Sequence, residues 1–226
     1  PTPNEAEMMQ PIDLTGTTEH AGGTDGAIDR VTQEIAASLR QRKTLVIWMM
    51  DESSSMETRR EGVAKRFKGI YEQLGALDVG AEEALSTGIV SYGQDVHMLV
   101  KEPTTDLDVL VKAVDSIQND TTGAENVFTA IQATLKNFLP AKRKLRANMM
   151  LILVTDERGD DYAMLEDVVR NCTREGVKAY CIGNTSVFGR EEGYVRVQWE
   201  ADGEKYDEEL PADMGPETVR AEGLQL

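Results

Sequence analysis

The run Thr44-Leu45-Val46-Ile47-Trp48-Met49-Met50-Asp51-Glu52-Ser53-Ser54-Ser55 decides the fold. Its uncharged part, Thr44 to Met50, is far too short for a membrane span and reads as a strand buried on both faces. It stops abruptly on two acids and three serines. A second run of the same kind, Asn148-Met149-Met150-Leu151-Ile152-Leu153-Val154-Thr155, also ends against an acid, Asp156. Strands buried on both faces belong to parallel sheets covered by helices.

The stretches around these runs supply the helices. Ile28, Val31, Ile35 and Leu39 predict a helix from Ala27 to Gln41. Val63, Phe67, Ile70 and Leu74 predict one from Met56 to Leu77. Leu107, Leu110, Val111, Val114 and Ile117 mark another. Val127, Ile131, Leu135 and Phe138 mark a fourth, expected to end before Pro140. Leu165, Val168 and Val169 mark a fifth over 162–175, stopped by Gly176. Leu85 to Tyr92 and Val96 to Val100 read as a hairpin joined at Gly93-Gln94-Asp95, and Val177 to Ile182 as a further strand. Strands alternating with helices predict a doubly wound α/β domain with a mostly parallel central sheet, over 27–186. Residues 1–26, broken by proline and glycine, read as an extended arm. Residues 187–226 read as an extension containing a hairpin, with Tyr194 to Trp199 alternating and Asp202-Gly203 as its turn, and a polar tail.

Composition bounds the function. The chain of 226 residues carries 24 Lys and Arg against 40 Asp and Glu, a net charge of −16, with 40% hydrophobic residues. That supports a core and excludes wholesale disorder. Binding to a nucleic-acid backbone needs a basic stripe, so nucleic acid is excluded as a partner, whereas cations and basic partners suit the surface. No membrane-spanning run or secretory h-region is present, and a membrane could be reached only through a segment outside this chain. The chain begins at Pro1, so a processed or trimmed piece is expected. Cys172 and Cys181 are too few for a disulfide framework, and Cys181, in an apolar run, reads as a buried thiol.

In doubly wound folds ligands bind beyond the carboxyl ends of the strands, which points to the loops after Met50 and Thr155. There Asp51, Ser53 and Ser55 place oxygens at alternate positions of a short loop, and Asp156 adds a carboxylate from another strand end. Hard divalent cations take such oxygen ligands. The serines suit direct ligation; Asp51 and Asp156 suit direct or water-mediated contact.

With the strand before it and the matched second Asp, Asp51-x-Ser53-x-Ser55 is specific. The chain resembles a von Willebrand factor type A domain over residues 27–186, and the motif matches that family's metal-ion-dependent adhesion site. The resemblance implies a Rossmann-like fold and a divalent cation, Mg²⁺ first and Mn²⁺ or Ca²⁺ as alternatives. It implies binding of a protein partner whose Asp or Glu carboxylate completes the coordination. It also allows two other roles: adaptor to an AAA+ ATPase, as in metal-chelatase and MoxR-type systems, and structural module with a degenerate site. One departure bears on all three. The family usually places a Thr in a Gly-Gly-Thr-like segment, and here Glu125 of Gly123-Ala124-Glu125-Asn126 stands in its place. Either Glu125 joins the metal residues and closes the site, or it turns outward at the positive end of a helix.

Enzyme readings are weaker. A phosphotransfer aspartate of the haloacid-dehalogenase kind wants a second Asp where Ser53 stands, and no Gly-x-Ser-x-Gly elbow surrounds the serines. His20 and His97 are the only histidines, so neither a Ser-His-Asp arrangement nor a zinc site is expected. No base or nucleophile presents itself, and the expectation is a non-enzymatic module. Arg158-Gly159-Asp160 spells the tripeptide that integrins read, but Gly159 is accounted for by a turn after a strand. The basic cluster Lys142-Arg143-Lys144, with Arg146, reads as the charged end of a helix.

Overall fold

The computed structural model describes residues 23–76, 84–155, 159–182, 194–201 and 204–211. In chain order these form α1 (Gly23–Leu39), β1 (Thr44–Asp51), a 3-10 turn (Ser54–Met56), α2 (Glu57–Ala76), β2 (Leu85–Tyr92) and β3 (Val96–Thr104). Then come α3 (Leu107–Asp115), α4 (Val127–Leu145), β4 (Asn148–Val154), a second 3-10 turn (Tyr162–Met164), α5 (Leu165–Glu175) and β5 (Val177–Ile182). A hairpin of β6 (Tyr194–Ala201) and β7 (Glu204–Pro211) follows.

Five strands form one sheet in the order β3-β2-β1-β4-β5. All pairs are parallel except β2–β3, the antiparallel hairpin expected around Gly93. Every residue of β1 is buried, as its unbroken apolar run requires. Its side chains alternate between two layers. Val46, Trp48 and Met50 join α1, α2 and α3 on one face, while Leu45, Ile47 and Met49 join α4 and α5 on the other. The Trp48 ring stands edge-on to Phe67 of α2, centroids 5.2 Å apart, an arrangement that satisfies the ring quadrupoles. The chain leaves β1 through α2 on one face and leaves β4 through α5 on the other. The switch point of the sheet therefore lies between β1 and β4, and their carboxyl ends open the crevice where such folds bind ligands.

Three expectations are corrected. Helix α4 does not stop before Pro140 but carries it internally and continues to Leu145. The proline removes one N–H, yet Leu139 just before it and Ala141 and Leu145 beyond it pack on the core and hold the last turns in place. Helix α1 begins at Gly23, inside the stretch expected to be an arm. Cys181 is exposed, near the end of the edge strand β5, which has a neighbouring strand on one side only; Cys172 is half-buried, and both are free thiols. Pro103 sits in β3, the opposite edge, where its missing N–H costs no ladder bond to an inner strand. Asp202, Gly203 and the polar tail lie outside the described residues. Among the described residues no helix is long and apolar enough to cross a membrane.

One buried hydroxyl yields a pH prediction. Tyr71 of α2 shares a 2.5 Å hydrogen bond with Thr87 of β2. Burial pushes its pKa up to about 12, against the opposing pull of that bond. A group whose pKa is raised on folding contributes stability fully below its unfolded value, near 10, and loses it as pH rises towards the folded value. Stability should therefore fall by about 2–3 kcal/mol between pH 10 and 12 on this account. Urea unfolding of the parent and Tyr71→Phe across that range checks it: the variant should lose less.

Candidate metal centre

Three loops meet at the carboxyl ends of β1 and β4. The first follows β1. Asp51 is completely buried, and its carboxylate is held at both oxygens: Oδ1 accepts from the Ser53 N–H at 2.7 Å and Oδ2 from the Thr155 hydroxyl at 2.7 Å. The Ser53 and Ser55 hydroxyl oxygens lie 3.1 Å apart. The loop is pinned by its backbone too, for the Glu52 N–H donates to the Tyr92 carbonyl at 2.8 Å and its carbonyl accepts from Asp120 N–H at 2.9 Å. Ser53 and Asp120 form an isolated parallel bridge, so the second loop runs alongside the first.

That second loop is organised by Asp120. Its carboxylate accepts from the Gln94 N–H at 2.6 Å and the Thr122 N–H at 2.7 Å. These bonds hold its pKa below the ordinary carboxylate value, the one to Gln94 most strongly. Glu125 ends the loop with its side chain 5% exposed, so it does not turn outward from the start of the helix. The buried Tyr92 hydroxyl senses both carboxylates: burial raises its pKa most, and the charges of Asp51 and Glu125 raise it further. Glu125 and Asp51 thus act on one buried point.

The third loop follows β4. Thr155, its first residue, bonds Asp51. Asp156, Glu157 and Arg158 lie outside the described residues. Gly159 has φ +87°, and a side chain there would run into Val127; only glycine fits both the backbone and the space. Asp160 exchanges two bonds with Glu125, its N–H donating to the Glu125 carbonyl at 2.8 Å and its carboxylate accepting from the Glu125 N–H at 3.0 Å. That internal task accounts for the Asp of the Arg-Gly-Asp triplet. Asp161 accepts from the N–H groups of Phe128 and Thr129 at 3.0 and 2.6 Å, capping α4 from another loop. Asp161→Ala should lower stability by about 1 kcal/mol in urea unfolding.

Beneath the first loop lies a cation. Arg60 of α2 is 4% exposed, and one guanidinium nitrogen donates to the carbonyls of Asp51 (2.5 Å) and Ser53 (2.8 Å). The other nitrogen bonds the Asn119 side chain, which in turn donates to Glu57 at 3.0 Å. Burial lowers the Arg60 pKa, while Asp51, Glu57 and Glu52 oppose that shift; an arginine remains charged regardless.

Of the sequence candidates, Asp51, Ser53 and Ser55 share one loop, Glu125 is buried and shares with Asp51 an influence on the Tyr92 hydroxyl, and Asp156 lies outside the described residues. Arg60, Asn119, Asp120, Thr155, Asp160 and Asp161 were not among the candidates. Arg60 had a legible signal. It sits three residues before Val63 and seven before Phe67, so a charge stands in the apolar stripe of its helix and demands a buried partner.

The sequence model of the von Willebrand factor type A domain matches residues 45–203 of the 226. The chain belongs to this family. No curated protein sequence matches this von Willebrand factor type A (vWA) domain significantly. Similar solved structures include the von Willebrand factor domain of the type V pilus tip protein Mfa5 from Porphyromonas gingivalis. That match is 16% identical with a TM-score of 0.38, covering 51% of this chain and 38% of that one. The conserved hypothetical protein BatB from Bacteroides thetaiotaomicron matches at 14% identity and a TM-score of 0.49, covering 75% of this chain and 80% of that one. Proximal thread matrix protein 1 from the mussel byssus matches at 19% identity and 0.48, covering 63% and 38%.

The residues present suit a hard cation. Adjacent ligands of an octahedral Mg²⁺, each at 2.0–2.1 Å, stand about 3 Å apart, close to the 3.1 Å between the Ser53 and Ser55 oxygens. Asp51, with both oxygens accepting bonds, has the pattern of a carboxylate that orients ligands. Among the described residues no three His, Cys, Asp or Glu side chains group into a site by themselves.

Proposed function

We propose that this vWA domain is a protein-interaction module whose contact with its partner depends on a divalent cation, Mg²⁺ first, held in the loop after β1. The convergence of the Ser53 and Ser55 hydroxyls over the buried, doubly bonded Asp51 carries the reading. Ser53 and Ser55 are the direct ligands, Asp51 orients them, and Asp156 contributes from the neighbouring strand end. When bound, the cation supplies a Lewis-acidic position for a carboxylate of the partner.

Arg60 alters the charge balance of such a site. Asp51, Glu125 and Asp156 alone would leave three negative charges against two positive. Arg60 beneath the loop adds a positive charge that offsets Asp51, Glu57 and Glu52, and so lessens the repulsion an acidic partner would meet. Glu125, buried and acting with Asp51 on the Tyr92 hydroxyl, supports the site from within.

Water-proton relaxation of the Mn²⁺-loaded protein tests this reading. Bound Mn²⁺ should enhance relaxation through coordinated water, and a glutamate-containing peptide should reduce the enhancement by displacing that water. Enhancement that the peptide does not change would mean a closed site and would count against carboxylate recognition.

A further inference from the structure

The opposite end of the sheet carries a second site. At the amino ends of β1 and β4, roughly 23 Å along the strands from Asp51, a cavity of about 580 Å³ is lined by Arg42, Lys43, Lys142, Arg143, Arg146 and the small apolar floor of Leu145 and Ala147. Five cations meet there in a chain of net charge −16. The ion pairs of the described residues bring one carboxylate to this cluster, Glu175, which engages Arg143 at 2.9 Å and whose carbonyl holds the Lys142 ammonium at 2.7 Å. Arg42, Lys43 and Arg146 are exposed and make no ion pair among the described residues.

The backbone adds an independent sign. Arg146 follows the last turn of α4 with φ 52° and ψ 38°, the left-handed conformation, and is the only residue other than glycine with positive φ among those described. Helices commonly end this way on glycine, and α5 does so at Gly176, with φ 59° and ψ 47°. An arginine there carries a conformational strain that glycine would not, although its N–H closes the helix on the carbonyls of Arg143 and Lys142, and strain of this kind clusters at binding sites. Arg146 lines the cavity.

We propose that this pocket binds a small anion bearing one or more phosphoryl groups. Arginine forks match phosphate oxygens two at a time. The volume is that of a small-molecule site. The acidic remainder of the chain argues for a compact ligand: at physiological salt exposed charges are largely screened beyond about 8 Å, so a small dianion feels chiefly the basic cluster around it. An extended polyanion would also meet the acidic surface.

Calorimetric titration of the whole chain with pyrophosphate at physiological salt, against sulfate at equal ionic strength, tests the proposal. The comparison variant is Arg42→Ser with Arg146→Gly. The glycine relieves the backbone strain and should raise the melting temperature by about 2–4 °C, so lost binding cannot be ascribed to lost folding. Saturable binding of pyrophosphate, weaker with sulfate and weakened at least tenfold in the variant, is the expected result. Absence of saturable binding, equal affinity in the variant, or tighter binding of a Glu-rich peptide than of pyrophosphate would each overturn it.

Discussion

Arg60→Leu should cost about 3–4 kcal/mol of stability, a large share of the ~5–15 kcal/mol that holds a domain folded. Leucine fills much of the space but donates nothing. The buried Asp51 carbonyl and the half-buried Ser53 carbonyl would each lose a donor, as would the exposed Asn119 side chain, and an unsatisfied buried acceptor costs about 1–3 kcal/mol. Asp51, Glu52 and Glu57 would lose the charge that offsets them. Arg60→Lys should recover only part of the loss, because one ammonium cannot span the same three acceptors. Urea unfolding at neutral pH measures both, and a loss below about 1 kcal/mol in Arg60→Leu would show that the guanidinium is not what fastens the loop.

Phe67→Ala should be equally severe, at about 3–5 kcal/mol. Phe67 is completely buried and edge-on to Trp48 at the middle of β1. Removing the ring leaves a cavity between α2 and the sheet and forfeits the ring pair, which adds about 0.5–1.5 kcal/mol beyond burial. Phe67 lies seven residues after Arg60 on the same helical face, so the two fasten α2 to the sheet at neighbouring points. Their effects act on one docking surface, one through packing and the other through hydrogen bonds to the loop. Thermal and urea unfolding of the single and double variants would show whether the two losses add.

The architecture was legible in the sequence because its strands are of the least ambiguous kind. Thr44 to Met50 and Asn148 to Val154 carry no charge, and each stops at a polar loop, so a covered parallel sheet follows from physics that acts within a few residues. Helix α4 was misjudged at its end for the opposite reason. Proline is locally a helix terminator, but the packing of Leu139, Ala141 and Leu145 comes from distant strands and overrides it. Cys181 was read as buried from its apolar neighbours, whereas its place on an edge strand depends on the order of all five strands.

The site divides along the same line. Asp51, Ser53 and Ser55 are close in sequence, so their spacing alone shows that they can converge. The partners that hold them are remote: Thr155 reaches Asp51 across β1 and β4, Asp120 pairs with the loop through an isolated bridge, and Asp161 caps a helix that starts 34 residues before it. Such pairings follow from strand order, which is settled by the assembled fold. Arg60 falls between the two cases, visible as a charge in an apolar stripe but with no partner readable from its surroundings.

On the proposal above, the serines after β1 hold a divalent cation in the folded state. Thermal unfolding of the chelated protein, titrated with Mg²⁺, Mn²⁺ and Ca²⁺ beside Ser53→Ala with Ser55→Ala, tests it most directly. A cation that binds only the folded chain should add ~2.7 kcal/mol at a hundredfold excess over its dissociation constant. The parent should show a rise in melting temperature and the double variant none. No rise with any of the three cations, or an equal rise in both proteins, would contradict it.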